Sequence, residues 1–345
     1  MKAPERILVI RLSSLGDILH ALPAFTSLRK SFPAARIDWL VEQRNRFLLS
    51  AVPGLDNIIS IDTASPQSRP FDVASWRGLC RTVRDLRGRK YDLSIDFQGL
   101  TKTAFLGRLI GSPVRAGFGK LLVWEKPAHW LYNRRLDRVE GDRHVVEINQ
   151  QLAASVGAVT GYSAVDLMSP PEAIHAAEER LTGLQLSDFV VINPGGGWPT
   201  KRWSPERYGL LAARITRELG QRVIVTTGPG EEELFREIAK NCSVQPHHFA
   251  VTFLDLIPLI RRSRLFIAGD TGPFHLACAL GTPVVGIFGP TSPSRNGPWS
   301  PHDRCAVRVL PCSFCYGRAC PTRNECMDIS VDEVFALVTA RLGAS

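Results

Sequence analysis

Residues 269–293 read GDTGPFHLACALGTPVVGIFGPTSP, and this stretch decides the fold that we predict for the chain. Apolar runs on either side of the DTG turn, at 265–268 and 283–288, predict two buried strands. Between them, an apolar segment with Pro273 in its first turn and Gly281 at its end predicts a short helix. Strand, turn, helix and strand in this order are typical of a parallel α/β sheet, in which ligands bind beyond the carboxyl ends of the strands.

The turn carries groups that suit an anionic ligand. Asp270, Thr271 and Gly272 precede the helix, whose free N–H groups and positive dipole end attract a phosphate group. Asp270 has a simpler interpretation as the N-cap of the helix, and His275 as a packed, hydrogen-bonded histidine on its first turn. These residues alone leave both interpretations open.

The same order of elements opens the chain. RILVIR at 6–11 predicts a strand, LSSLGD at 12–17 a turn, and 18–31 a helix in which Pro23 predicts a kink or a restart. The alternation of strands and helices continues to a last strand of this half at 114–118. The opening turn lacks the pattern G-x-G-x-x-G, so the sequence does not indicate a dinucleotide site.

A segment rich in Gly, Ser and Pro separates two halves of similar size. The pattern of strands and helices restarts after it. We therefore predict an N-terminal domain over 1–157, a linker over 158–173 and a C-terminal domain over 174–345. Both domains are predicted to be doubly wound α/β domains of the Rossmann type.

Composition restricts the class of protein and the chemistry of its partners. The chain has 345 residues, of which 44% are hydrophobic and 22% charged, as in globular proteins. No apolar run approaches the roughly 18 residues that span a bilayer, and charges interrupt the N-terminal apolar run, so we expect a cytoplasmic protein. The net charge of +9 favours an anionic partner: nucleic acid, an anionic lipid surface or a phosphorylated sugar. Nucleic acid ranks last, because the sequence has no tract of only basic residues and no aromatic RNA-binding motif.

Asp17 follows the first predicted strand, in a turn that Ser13 and Ser14 shape. A carboxylate at this position could take the proton of an attacking hydroxyl group, which typically contributes about 10²–10⁴-fold to a rate. Without further context, a helix cap is the simpler interpretation.

A glycine-rich loop, NPGGGWPTKRW at 193–203, follows the first strand of the second domain. Gly196 and Gly197 allow the backbone to approach a ligand closely, and Lys201 supplies a charge that could stabilise a departing diphosphate. The alternative is a flexible loop with an exposed Lys-Arg pair. The chain has no Asp-x-Asp triplet of the kind that holds a divalent cation against a diphosphate, so Lys201 and the helix start at 271–272 are the groups expected to neutralise such a ligand.

Basic residues cluster among tryptophans in the segment 115–143. They could form a cationic floor for an anionic acceptor or only a solvated surface, and composition does not choose between the two. The candidates are Arg115, Lys120, Lys126, Arg134, Arg135 and Arg143.

Four of the eight cysteines lie within fifteen residues of each other, in a cysteine-rich tail over 312–326 of the C-terminal domain. Their spacing fits neither a standard zinc finger nor a standard ferredoxin. They are candidate ligands for a structural zinc ion or iron–sulfur cluster away from the reacting groups, or reduced thiols that hold a loop. The four are Cys312, Cys315, Cys320 and Cys326.

Two of these motifs carry a family resemblance that extends over nearly the whole chain. DTGPFHLACALGTPVVGIFGPT at 270–291 resembles the donor-binding signature of the ADP-heptose:lipopolysaccharide heptosyltransferases, glycosyltransferase family nine. RLSSLGDILHALPA at 11–24 resembles the N-terminal motif of that family. The resemblance implies a GT-B fold, in which two Rossmann-like domains face each other across a cleft. It also implies an inverting, metal-independent transfer of heptose from ADP-heptose to the Kdo-containing inner core of lipopolysaccharide.

The resemblance assigns roles to individual residues. It implies that Asp17 is the general base, that Ser13 and Ser14 lie on the acceptor side, and that the basic residues of 115–143 contact the acceptor. The C-terminal domain would bind the donor, with TTGPGEE at 226–232 as the ribose-binding turn and either Glu231 or Glu232 on the ribose hydroxyls. The implied donor-binding residues are Gly196, Gly197, Lys201, Glu231, Glu232, Asp270, Thr271, Gly272 and His275.

The implied partners are ADP-heptose, Kdo-lipid A and the inner face of the inner membrane, where the enzyme would attach peripherally. Neither nucleic acid nor a catalytic cofactor is implied. The segments SSLGDILHALPA and WLVE favour heptosyltransferase I, whereas the cysteine tail favours heptosyltransferase II. Two alternatives are a family-nine transferase that uses another nucleotide sugar and a zinc-stabilised nucleic-acid-binding protein. The second leaves the paired Rossmann-like halves and the DTG motif unexplained.

Overall fold

The computed structural model contains two compact α/β units. They are Met1–Asp166 and Leu167–Ser345, and the chain divides inside the segment 158–173 that the sequence predicts as a linker. The structure describes residues 3–63, 65, 72–141, 144–161 and 164–343.

The N-terminal unit is built on a six-stranded sheet in which every neighbouring pair of strands is parallel. Its strands are β1 (Arg6–Ile10), β2 (Arg36–Glu42), β3 (Asn57–Ile61), β4 (Leu93–Asp96), β5 (Val114–Phe118) and β6 (Arg134–Leu136). They stand in the order β3-β2-β1-β4-β5-β6. The helices are α1 (Leu15–Ser31), α2 (Arg46–Leu49), α3 (Val73–Gly88), α4 (Thr101–Ile110) and α5 (Val145–Ala154), with 3-10 turns at Gln43–Asn45 and Lys126–Leu131.

The C-terminal unit contains a second six-stranded parallel sheet. Its strands are β7 (Phe189–Asn193), β8 (Arg222–Thr227), β9 (His247–Ala250), β10 (Leu265–Gly269), β11 (Val284–Phe288) and β12 (Arg304–Val307). They stand in the order β12-β11-β10-β7-β8-β9. The helices are α6 (Pro171–Gly183), α7 (Pro205–Leu219), α8 (Glu232–Lys240), α9 (Leu256–Arg262), α10 (Gly272–Leu280), α11 (Pro293–Asn296) and α12 (Val331–Gly343), with 3-10 turns at Pro199–Lys201 and Glu325–Met327.

Both sheets have the doubly wound order of the Rossmann fold. Counted within each unit, the strands follow the order 3-2-1-4-5-6, so the direction of winding reverses between β1 and β4 and again between β7 and β10. Ligands of such sheets bind at this switch point, beyond the carboxyl ends of the strands. The predicted class, two Rossmann-like α/β domains, is confirmed.

Continuous apolar runs explain why the central strands lie between layers of helices. All five residues of β10 and the last four of β1 are buried. Because successive side chains of a strand point to opposite faces, such runs require helices on both faces of the sheet. No helix in the described ranges is at once long enough and apolar enough to span a bilayer.

The structure corrects three details of the predicted elements in the N-terminal unit. The strand at 114–118 is not the last of its half, since β6 follows it at the edge of the sheet. β6 has only three residues, RRL, and therefore offers no apolar pattern to detect. The helix predicted over 18–31 begins at Leu15 and continues through Pro23 without a restart. Its earlier start places Asp17 in the first helical turn.

Candidate active site

Three loops of the C-terminal unit lie at the carboxyl edge of its sheet, around the switch point. The glycine-rich loop 194–201 follows β7, the turn 228–231 follows β8, and the turn 270–271 follows β10. Because β10, β7 and β8 are neighbours in the sheet, the three loops are adjacent. The residues that the sequence predicts for donor binding are brought together here.

A buried ion cluster joins the first and third of these loops. Lys201 Nζ lies 2.7 Å from Asp270 Oδ2, and His275 Nε2 lies 2.8 Å from Asp270 Oδ1. The Asp270 and His275 side chains are almost fully buried, and Nζ of Lys201 also lies 4.3 Å from the centre of the Trp198 ring. The cluster thus fixes one cation beside the start of α10, where a leaving phosphate would gain negative charge.

The interpretation of Asp270 as a helix cap is wrong. The N-cap of α10 is Thr271, whose Oγ1 accepts a hydrogen bond from Phe274 N at 3.5 Å. The two carboxylate oxygens of Asp270 instead contact Lys201 and His275. Burial alone would raise the pKa of Asp270. The hydrogen bond with His275 and the charge of Lys201 outweigh this effect, so the pKa of Asp270 lies below its usual range. The carboxylate is therefore ionised at neutral pH.

The carboxylate of Glu231 faces the glycine-rich loop. Gly228 N donates to its Oε2 at 2.9 Å, and a Cβ atom on Gly195 would stand only 2.8 Å from the same oxygen. A side chain at position 195 would therefore displace the Glu231 carboxylate from its present place. Glu232 is exposed and accepts a bond from Gly230 N at 3.3 Å. Of the two carboxylates, Glu231 is the one beside the loop that carries Lys201.

The remaining predicted donor contacts are backbone groups around the start of α10. A Cβ atom on Gly196 would lie 3.2 Å from Cγ2 of Thr271, whereas one on Gly197 would meet nothing within 4 Å. Gly197 therefore leaves open space beside the loop. Gly272 is the first residue of α10, where N–H groups without helical partners point outward.

In the N-terminal unit, Asp17 lies beyond the carboxyl end of β1. Its Oδ2 accepts hydrogen bonds from Ser14 N at 3.0 Å and from Ser14 Oγ at 2.9 Å, as the acidic residue of a capping box. Its Oδ1 pairs with Arg11 Nη2 at 2.8 Å. The Asp17 side chain is nevertheless 40% exposed, so a carboxylate that caps the helix also remains accessible to a ligand.

Arg11 and Gln98 hold the Asp17 turn in place, and neither is among the site residues predicted from the sequence. Arg11 Nη1 donates to the carbonyl oxygen of Phe97, and Gln98 Oε1 accepts from Leu12 N at 2.7 Å. These bonds connect the loop after β1 to the loop after β4 across the switch point. A signal was available for Arg11, which is a charged residue directly after an apolar strand.

The predicted acceptor contacts occupy different parts of the N-terminal unit. The guanidinium group of Arg115 donates hydrogen bonds to two backbone carbonyl oxygens, Leu131 O at 3.1 Å and Ser112 O at 3.0 Å. Burial and the charge of Arg108 lower the pKa of Arg115. The other described candidates are exposed: Lys120 and Lys126 after β5, and Arg134 and Arg135 on the edge strand β6. Arg143 lies outside the described residues.

The cysteine-rich segment 312–326 contacts the loop that carries Lys201. Thr200 Oγ1 donates to Gly317 O at 2.8 Å, and Asn324 Nδ2 donates to Thr200 O at 3.1 Å. The guanidinium carbon of Arg318 lies 4.9 Å from the centre of the Trp198 ring. The segment was expected to lie away from the reacting groups, whereas it contacts the loop of Lys201, a predicted donor-binding residue.

The four clustered cysteines are free thiols. Cys312 and Cys315 are exposed, whereas Cys326 is buried, which raises its pKa. Within the described part of the chain, no three His, Cys, Asp or Glu side chains are arranged to hold a metal ion. The choice between metal ligands and reduced thiols stays a prediction.

Comparison with known proteins gives the family. The family model described as glycosyltransferase family 9 (heptosyltransferase) matches residues 79–325. The chain belongs to glycosyltransferase family 9. It is 30% identical over 343 residues to the lipopolysaccharide heptosyltransferase 1 of Pseudomonas aeruginosa, a match that covers 93% of this chain and 89% of the relative.

Solved structures of family 9 proteins share the fold. The family 9 glycosyltransferase of Veillonella parvula DSM 2008 matches with a TM-score of 0.80 and 22% identity, over 100% of this chain and 99% of the other. The Escherichia coli heptosyltransferase WaaC with ADP matches with a TM-score of 0.76 and 22% identity, over 97% and 99%. The predicted GT-B fold class and the predicted enzyme class, a glycosyltransferase of family 9, are confirmed.

Proposed function

We propose that this family 9 enzyme transfers heptose from ADP-heptose to the Kdo-containing inner core of lipopolysaccharide, with inversion and without a metal ion. The observation that carries the proposal is the Lys201–Asp270–His275 cluster, which holds a cation beside the start of α10. The names of similar proteins support it, since one is a lipopolysaccharide heptosyltransferase 1 and another is WaaC with ADP. A family 9 transferase with a different nucleotide sugar is the alternative.

The reaction assigns separate tasks to the two units. The hydroxyl group of the acceptor attacks the anomeric carbon of heptose while Asp17 takes its proton. The bond from that carbon to the diphosphate breaks, and ADP leaves with its new negative charge next to Lys201 and the amides of Thr271 and Gly272. One displacement of this kind inverts the anomeric centre. The acceptor side includes Ser13, Ser14 and the exposed basic residues after β5 and on β6.

The proposal can be tested by transfer assays with the purified chain, Kdo-lipid A and a panel of nucleotide sugars. We expect calorimetric binding and turnover with ADP-heptose, and neither with UDP- or GDP-sugars. Turnover of a different nucleotide sugar would favour the alternative.

Chelation tests the metal-independent step. Because Lys201 and the start of α10 neutralise the diphosphate, we expect the rate with EDTA to stay within about twofold of the untreated rate. Removal of a Lewis-acidic metal would cost much more, since such a metal stabilises the transition state by several kcal/mol. The measurement is the initial rate with and without EDTA, followed by added magnesium. Loss of activity that magnesium restores would contradict this part of the mechanism.

A matched pair of variants tests the ribose contact. Glu231→Gln should weaken ADP binding by about tenfold, because Glu231 faces the glycine-rich loop and a hydrogen bond from a ribose hydroxyl to a charged group contributes about 1.5–3 kcal/mol. Glu232→Gln, one residue away on the exposed side, should bind ADP like the wild type. The measurement is ADP affinity by calorimetry, and a loss confined to the Glu232 variant would reverse the assignment.

The acceptor also gives the expected location of the enzyme. A lipid-linked acceptor places the reaction at the inner face of the inner membrane, where the net charge of +9 favours contact with anionic lipids. We therefore propose a cytoplasmic enzyme that attaches to this surface peripherally.

A further inference from the structure

Large apolar side chains are exposed in the segment between β5 and β6. Leu121 is 79% exposed, Trp124 68% and Trp130 75%. Single exposed apolar residues are common, but neighbouring ones mark contact surfaces. The neighbouring helix α4 adds two more, Phe105 and Leu109, which are four residues apart and so share a face of the helix. We call these five residues the Trp124 surface.

The two elements that carry this surface are packed against each other. The 3-10 turn Lys126–Leu131 contacts α4. Glu125 Oε2 accepts a bond from Thr101 N at 2.8 Å, and Glu125 N donates to Gly99 O at 3.3 Å. The exposed side chains of both elements therefore belong to one region of the N-terminal unit.

Buried neighbours hold the exposed side chains outward. Val123, Ala128 and Tyr132 alternate with the exposed residues and are buried. Tyr132 OH donates to Asp96 Oδ2 at 2.7 Å and thereby ties the end of the segment to β4. Trp124 and Trp130 are thus exposed on a segment that its buried residues, Val123, Ala128 and Tyr132, fix to the unit.

Cations border the apolar residues. Lys120 and Lys126 lie in the same segment, and Lys102 and Arg108 lie on α4. Glu125 is the only acidic residue in the stretch 97–136, and its carboxylate is bonded to the start of α4; the carboxylate of Asp137 lies against Gly119, and that of Asp96 is buried under Tyr132. The border of the surface is therefore positive. Tryptophan side chains flanked by lysines are typical of protein surfaces that bind at the boundary between lipid headgroups and acyl chains.

The segment is also connected to the turn that carries Asp17. Asp96, which holds Tyr132, accepts a bond from Gln98 N at 2.8 Å, and Gln98 Oε1 accepts from Leu12 N in the Asp17 turn. The segment leaves β5 at the same edge of the sheet at which Asp17 follows β1. A membrane that contacts the Trp124 surface would hold a lipid-linked hydroxyl group on the side of the unit where the proposed base lies.

We propose that the Trp124 surface is the site at which this enzyme docks on an anionic lipid bilayer. The inference rests on the proposed function only for the identity of the acceptor in that bilayer. Charge favours lipid over a second copy of the chain, because a twofold interface would bring Lys120 and Lys126 near the same cations of the other copy. Docking then has an apolar component that salt does not screen, in addition to the attraction of the basic border.

The direct test is co-sedimentation of the full chain with vesicles of phosphatidylethanolamine and phosphatidylglycerol. Trp124→Ser combined with Trp130→Ser should weaken vesicle binding by about tenfold or more, because two indoles leave the lipid boundary. The wild type should keep part of its binding at high salt, and the double variant should lose that part. The control is Leu210→Ser combined with Val309→Ser, which removes two exposed apolar residues of the C-terminal unit and should bind like the wild type.

Two further readouts distinguish lipid docking from self-association and from a general loss of activity. The double variant should transfer heptose to a water-soluble, deacylated acceptor at the wild-type rate, and more slowly to the same sugar in vesicles. Equal vesicle binding by wild type and double variant would overturn the docking site. A wild-type dimer that the double variant abolishes in sedimentation velocity, with vesicle binding unchanged, would overturn it in favour of a self-interface. Normal vesicle results without transfer to either acceptor would overturn the proposed function alone.

Discussion

Replacing Asp17 with asparagine is expected to lower kcat by about 10²–10⁴-fold while the affinity for ADP-heptose changes little. The amide retains the size of the side chain and one acceptor oxygen, so the turn held by Ser14 can persist. It cannot take the proton of the acceptor hydroxyl group, which must leave as the new glycosidic bond forms. The measurements are steady-state kinetics with both substrates and calorimetric binding of the donor.

The chain offers a matched control for this variant. Asp56 pairs with Arg29 at 3.1 Å and is 43% exposed, so its geometry and exposure are close to those of Asp17 with Arg11. Asp56→Asn removes a comparable ion pair from the same unit but no proposed base, and kcat should stay near the wild-type value. If Asp17→Asn also keeps activity within a few-fold of wild type, Asp17 is a helix-capping residue and the base lies elsewhere.

Replacing Lys201 with glutamine is expected to lower kcat by about 10²–10³-fold and to weaken ADP binding. The variant removes the cation that we propose to face the developing charge of the diphosphate. The buried Asp270 carboxylate also loses the lysine that balances its charge, and only its bond with His275 remains. A lower thermal midpoint should therefore accompany the kinetic loss. The readouts are kcat, ADP affinity and thermal unfolding.

A second buried ion pair separates these two effects. Arg341 Nε lies 2.7 Å from Asp303 Oδ1 in the same unit, and both side chains are at least as buried as those of Lys201 and Asp270. Arg341→Gln should lower the thermal midpoint in a similar way, yet leave ADP affinity and kcat unchanged. Equal kinetic losses in both variants would show that Lys201 acts only through the stability of the fold.

The sequence places Asp17, Lys201 and Asp270 at the carboxyl edges of the sheets because each lies between the end of a strand and the first turn of the next helix. A strand followed by a turn and a helix is a local pattern, and in a parallel sheet every such turn lies at the same edge. Glu231 is a different case. Two adjacent glutamates are equivalent in the sequence, and only the backbone of the turn decides which one faces Gly195.

Contacts between distant residues were beyond prediction from one sequence. The partner of Asp270 is Lys201, 69 positions away, and the partner of Leu12 N is Gln98, 86 positions away. Three edge strands, β6, β9 and β12, were also not predicted, because each is short and polar or partly exposed and lacks the apolar run that identifies a central strand. The periodicity of the chain therefore predicts the central layers of each unit but not the contacts that orient the side chains.

The contacts of Thr200 connect the proposed donor site to the cysteine-rich segment and hence to its thiol chemistry. Lys201 is positioned by a loop whose neighbouring residue is bonded to Gly317 and Asn324, inside the cysteine-rich segment. Cys312 and Cys315 of that segment are open to oxidants and alkylating reagents. If Lys201 binds the donor as proposed, oxidation of these thiols in a preparation aged in air is expected to lower the nucleotide affinity. Batches should be compared only after their free thiols have been counted.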